Sequence, residues 1–162
     1  VDATSADPAH HEAHSPVGLI FVDLIDEVMR LNGRLIAATK FNTQVAGLRP
    51  PHWIILSAIV CAVEPPTVPR IGRALGHSRQ SVQRVADHLV QEGFAEWIPN
   101  PDHARANRLV ATDKGLETYA HTDRESAIWA DRVVSDIDMG ELGAAVKLLR
   151  TVRRRLEDDA RR

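Results

Sequence analysis

At 162 residues, with 44% hydrophobic and 26% charged residues, the chain has the composition of a single globular domain with a real core. A net charge of −2 excludes a polycation, so any nucleic-acid surface must be local. One cysteine, Cys61, leaves no internal disulfide; with no run of 18 apolar residues and no signal-like segment, the expected setting is cytoplasmic and away from membranes.

Residues 1–16 carry Pro, Ser, Ala and three histidines without apolar periodicity, and read as a flexible tail. From Val17 the pattern changes. Val17, Phe21, Leu24, Val28, Leu31, Leu35 and Ala38 alternate steps of four and three, which predicts a helix to about Phe41, ending before Gly47. Ile20, Ile25, Met29 and Ile36 widen its apolar face. Pro50-Pro51 opens a second helix, apolar nearly all round (Trp53, Ile54, Leu56, Ile59, Val60, Val63), and Pro65-Pro66 stops it.

Thr67 caps a short third helix with Ile71, Ala74 and Leu75 turned inward, and Gly76 supplies the left-handed residue at its end. Ser78 caps a fourth helix after the two-residue break Gly76-His77. Its buried stripe is Val82, Val85, Ala86, Leu89 and Val90, and Gly93 ends it. Phe94–Ile98 and Asn107–Val110 read as two short strands around the turn-rich segment 99–106, a hairpin with a projecting tip. Thr112 caps a long helix with Leu116, Tyr119, Ala120, Ala127, Ile128 and Val134 inside, and Met139-Gly140 marks a break. A last helix sets Leu142, Val146, Leu149, Val152 and Leu156 against an arginine-rich face.

The order of short helix, glycine turn and second helix makes a helix-turn-helix. Its first helix props the second so that the exposed face can enter a major groove. The fourth helix has the side chains for that task near its N-terminus: Ser78, Arg79, Gln80, Ser81, Gln83 and Arg84. Arg reads guanine and Gln reads adenine in bidentate fashion, while Ser serves base or phosphate. Between Thr67 and Arg108 six arginines face four acidic residues, so the local balance is basic while the whole chain is acidic. Thr67 and Arg70 on the supporting helix, with Asn100, His103, Arg105 and Arg108 on the wing, are the further candidate DNA contacts.

These residues carry a resemblance. Thr67–Leu75, Gly76-His77-Ser78-Arg79-Gln80-Ser81-Val82, Leu89-Val90-Gln91-Glu92-Gly93-Phe94 and Ala111-Thr112-Asp113-Lys114-Gly115 resemble the MarR family of bacterial transcriptional regulators, over roughly residues 17–158. The resemblance implies a mostly α fold with a small β-hairpin wing. In it, 48–111 form the DNA-binding winged helix, and 17–45 and 113–158 are dimerisation helices of the same single domain. It implies a homodimer on double-stranded DNA, a repressor of a pseudo-palindromic operator relieved by a small aromatic or phenolic ligand. The family wing pairs an aspartate with an arginine two residues on; here His103 stands in the aspartate place before Arg105, with Asp102 one place early. The flanking apolar helices independently favour a dimer, since a lone winged module has no need of them.

Phe21, Arg49, His52 and Trp53 form the candidate effector pocket, an aromatic wall with a cationic or imidazole handle. Cys61, placed in the apolar second helix, reads as core, and His10, His11 and His14 with Glu12 lack the rigidity of a metal site, so neither metal nor cofactor is expected. No phosphate loop, Cys-x-x-Cys or nucleophile elbow is present, and no enzyme is expected. The alternative is a winged-helix protein-interaction module that reads no DNA. The polar face of the fourth helix argues against it.

Overall fold

The computed structural model describes residues 14–44, 48–102 and 106–160. Among the described residues six helices and one hairpin follow in the order α1 (Pro16–Gln44), α2 (Pro50–Val60), α3 (Val68–Leu75), α4 (Arg79–Gln91), β1 (Ala95–Ile98), β2 (Arg108–Ala111), α5 (Asp113–Val133) and α6 (Met139–Asp159). The expected mostly α fold with a hairpin wing is the fold observed. Among the described residues no helix is long and apolar enough to cross a membrane.

The helix ends follow local chemistry. Ser15 Oγ accepts from the Gly18 N–H at 3.1 Å, so Ser15 and Pro16 belong to the start of α1 rather than to the expected tail. Residues 1–13 of that tail, with His10, His11 and Glu12, lie outside the described residues. α1 also runs three residues past Phe41. α2 stops at Val60, capped by Cys61, well before Pro65-Pro66. Val63, expected inside this helix, is 99% exposed beyond it. The chain needs that early exit because it must straighten beside β2. Leu109 N–H donates to the Pro66 carbonyl at 2.9 Å, and Thr67 bridges Arg108. Thr67 therefore holds the N-cap position of α3 without a side-chain cap bond, and Ala74, expected inside, faces out.

α3 and α4 form the tightest local unit. Gly76 sits at φ +67° and ends α3, with the His77 N–H on the Gly72 carbonyl at 2.9 Å. Ser78 caps α4 as its spacing predicts, accepting from Ser81 N–H at 3.1 Å. The buried stripe of α4 is Val82, Ala86 and Leu89, with Val85 and Val90 half-buried. β1 and β2 pair antiparallel in the register Ala95–Ala111 to Ile98–Arg108, and Ala95 and Leu109 close the sheet onto the helices. Leu48, Ile55, Leu56, Ile59, Val68, Ile71 and Phe94 complete one core.

Thr112-Asp113-Lys114-Gly115 locks the hairpin to α5. Thr112 Oγ1 donates to the Gly93 carbonyl at 2.7 Å and accepts from Gly115 N–H at 3.1 Å. Lys114 Nζ donates to the Glu92 carbonyl and lies 4.1 Å from the centre of the Phe94 ring. A Cβ on Gly115 would stand 2.0 Å from the Phe94 carbonyl oxygen, so this close approach requires glycine.

The chain divides into two compact units between Asp123 and Arg124. α5 ends at Val133, and Asp138 caps α6 by accepting from Glu141 N–H at 3.0 Å. The break therefore falls at residues 134–138. Met139-Gly140, expected there, forms the first turn of α6, because the Asp138 carboxylate starts the helix one residue earlier. The apolar positions expected inside α5 and α6 are largely uncovered within one chain. Ile128 is 65% exposed, and α6 has no buried residue among those described.

Candidate nucleic-acid interface

The N-terminal turn of α4 presents Ser78, Arg79, Gln80 and Ser81 to solvent, followed by exposed Arg84 and half-buried Gln83. Capping sets this face. Ser78 Oγ accepts the Ser81 N–H and also donates to Ser81 Oγ at 2.9 Å, holding the first turn while Val82 anchors it from below. Arg79 and Arg84 have no acidic partner among the described residues, so their guanidinium groups are available to bases or phosphates. Arg70 on α3 lies 3.7 Å from Glu64, an exposed pair that solvent screens and a phosphate can replace.

A cleft of about 370 Å³ separates α4 from the wing. Val68 and Pro69, the α4 row Arg79, Gln83 and Asp87, Trp97 of β1, and Ala106-Asn107 line it. Gln83 Nε2 donates to Asp87 Oδ1 at 2.9 Å. Asp87 is absent from the sequence-derived site, although its i, i+4 spacing from Gln83 was a usable signal.

In the wing, His103 and Arg105 lie outside the described residues. The flanks show how the turn is held. Arg108 donates through Nη2 to Asp102 Oδ2 and through Nε to Asn100 Oδ1 at 3.0 Å, and Asn100 Oδ1 also accepts from the Asp102 N–H. The Arg108 side chain is 19% exposed. Asp102, Asn100 and Arg108 thus form a clasp at the base of the wing, a structural task the sequence did not reveal. Thr67, expected as a contact, joins the same base through its backbone bridge to Arg108.

Neither of the two cavities beside α2 brings the four expected effector residues together. Arg49 lines an apolar cavity of about 490 Å³ with Ile36 of α1, Pro50, Ile54 and Ile55 of α2, and Ser81, Val82 and Val85 on the rear of α4. His52 points elsewhere. It lines a second cavity of about 330 Å³ with Leu48, Arg49, His88, Glu92, Phe94 and Lys114. It is 8% exposed, its ring meets that of His88 edge-on at 4.5 Å, and its Nδ1 has no hydrogen-bond partner among the described residues. Burial first, then the neighbouring His88 and Arg49, lowers its pKa below the usual 6.5.

Trp53 stacks on Tyr119 of α5, with ring centres 5.1 Å apart. Phe21 lies on α1, 37% exposed, and lines neither cavity. Cys61, expected in the core, is exposed at the end of α2, 3.2 Å from Tyr119 Oη. That hydrogen bond, with burial, pushes the Tyr119 pKa up to about 12. The described residues contain no cluster of His, Cys, Asp and Glu suited to a metal.

Residues 46–106 match the model of the MarR family. Two uncharacterized mycobacterial proteins, one from Mycobacterium bovis and one from Mycobacterium tuberculosis, are each 33% identical over 123 residues, 76% of this chain and 80% of their own length. Among solved structures, a MarR/EmrR family transcriptional regulator from Acinetobacter sp. ADP1 superposes with a TM-score of 0.76 at 19% identity, covering 86% of this chain and 98% of its own. Staphylococcus aureus MarR in complex with salicylate and kanamycin gives 0.74 at 14% identity, covering 86% and 94%. At these identities the two structures speak for the fold.

Proposed function

Because the chain belongs to the MarR family of DNA-binding transcriptional regulators, we propose that it acts as a homodimeric repressor of a pseudo-palindromic operator, relieved by a small aromatic acid. The observation that carries the DNA reading is the capped, solvent-facing row at the start of α4. Ser78, Arg79, Gln80 and Ser81 ring the exposed first turn and Gln83 and Arg84 follow, with Ser81 also bordering the Arg49 cavity, while Val82, Ala86 and Leu89 turn to the core. Arg79 and Gln83 are assigned to base edges, Ser78 and Arg84 to backbone or base, and Arg70 and Arg105 to phosphate or minor groove. Asn100 and Arg108 hold the wing for Arg105 to reach the DNA. Residues 48–111 are the reader within one domain spanning 17–158.

Dimerisation rests on the uncovered seams. Val17, Ile20 and Met29 on α1, and Leu142, Val146 and Leu149 on α6, are exposed in the single chain, at helical spacing. A second copy covers such faces with the two-fold symmetry that a pseudo-palindrome requires.

For the effector, the Arg49 cavity supports an aromatic carboxylate: apolar walls for the ring, one guanidinium at the rim for the acid. Salicylate, one of the two compounds in complex with Staphylococcus aureus MarR, has that chemistry. Selection from randomised duplexes, followed by binding at several salt concentrations with and without salicylate, tests the proposal. The expected result is a selected pseudo-palindrome, a steep fall in affinity with salt, and weaker binding with ligand. Failure of the folded dimer to prefer any duplex at low salt defeats the reading.

A further inference from the structure

Arg79, Gln83 and Asp87 recur at four-residue steps along α4 and so share one row. All three line the cleft between α4 and the wing. Inside that row the Gln83 amide is not loose, since its Nε2 donates to Asp87 Oδ1 at 2.9 Å. We infer that Asp87 is a specificity-determining positioning residue, fixing the sense of the Gln83 amide and thereby sharpening the choice of base opposite it. The inference rests on the assignment of α4 as a base reader.

A primary amide has two ends of nearly equal shape and opposite hydrogen-bonding character. A carboxylate only accepts. Beside Asp87 the NH₂ end is therefore the sole favourable neighbour, because the flipped amide would bring two oxygens together. With one N–H engaged, Gln83 keeps Oε1 and its second N–H for an incoming edge. That acceptor–donor pair complements the N6–H and N7 of adenine. Guanine presents two acceptors, O6 and N7, in the same place. A mobile glutamine can turn its NH₂ end alone toward guanine; a clamped one keeps Oε1 against O6.

The charge of Asp87 points the same way. An acid on a face that meets phosphates weakens binding to every sequence. Asp87 is exposed, its one side-chain hydrogen bond among the described residues is to Gln83, and it caps no helix. Its place in the row is thus accounted for by discrimination and not by affinity or fold stability. The clamp also removes rotamer freedom from Gln83 before the encounter, so less order has to be created on binding.

Full-length protein and the variants D87A, D87N and Q83A, each checked by thermal melting, are compared on randomised duplexes. Each is then titrated against the selected operator, its adenine-to-guanine version and an unrelated duplex. The wild type is expected to select adenine at a position that becomes indifferent in Q83A. In D87A the adenine preference at that position falls roughly tenfold, while the unrelated duplex is bound as tightly or more tightly. D87N lies between, since its carbonyl still accepts the Gln83 N–H but its amide admits both senses of the partner. Retention of full preference in D87A overturns the inference, as does equal weakening on all three duplexes, which marks a merely structural residue. A wild type that selects no sequence instead removes the reader assignment itself.

Discussion

Residues 48–111 and the long helices α1 and α6 are both rich in aliphatic side chains, yet they dispose of them differently. In the first region Leu56, Val82, Ala86, Leu89 and Leu109 are fully buried or nearly so, and short turns at Gly76 and Gly93 bring their elements together. On α1 and α6 the same residue types lie at equally regular spacing and remain open, with Met139 at 85% exposure. A period of 3.6 records that a face is apolar. It does not record whether the covering surface belongs to the same chain.

Truncation separates the two regions most sharply. Leu89→Ala should destabilise the fold by about 3 kcal/mol, read as a shift in urea midpoint at unchanged slope. Leu149→Ala, on the open seam of α6, should move the midpoint in a manner that depends on protein concentration. A concentration-independent loss of equal size at both positions would erase the distinction. Gly115→Ala should cost about 2 kcal/mol, because its methyl group meets the Phe94 carbonyl. If crystallised, that variant should show α5 displaced from Phe94.

Smaller effects sharpen the picture within the reader. Ser78→Ala should lower stability by about 1 kcal/mol through loss of the cap, and weaken operator binding besides, whereas Asp138→Ala on α6 should lower stability alone. His52 gives a pH signature. Its folded pKa lies below the unfolded 6.5, so the unfolded chain takes up the proton first on acidification. Stability is then complete above 6.5 and declines as pH falls toward the folded value. Melting temperature should drop less over that window in His52→Leu than in the wild type. An identical drop in both would assign the acid sensitivity to other groups.

What could be read from the sequence was governed by local rules. Ser78 and Gly76 act within four residues of themselves, and cap and turn fell where their chemistry demanded. α2 ends early because an extended run beside β2, a contact distant in sequence (Pro66 to Leu109, Thr67 to Arg108), prevails over apolar periodicity. The Arg108 clasp stayed hidden because any acid or amide of the wing was an equal candidate partner until the hairpin register was known. The split of His52 from Trp53 was foreseeable. Consecutive helical residues point about 100° apart, so the two were never neighbours on one face. The Thr112–Gly115 pattern is legible in the sequence but its reason is not, since Gly115 approaches the carbonyl of Phe94, just ahead of β1.

α4 is walled on two sides by different spaces: Arg79, Gln83 and Asp87 face the cleft beside the wing, while Ser81, Val82 and Val85 close the Arg49 cavity behind. Under the proposed function α4 is the wall shared by operator and guest, and a guest that displaces it couples the two affinities. If a guest in the rear cavity loosens the operator by some factor, the operator must loosen that guest by the same factor, whichever arrives first. DNA-loaded protein would then be the poorer receptor, and the concentration of guest needed for release would rise with the number of operator sites competing for the helix.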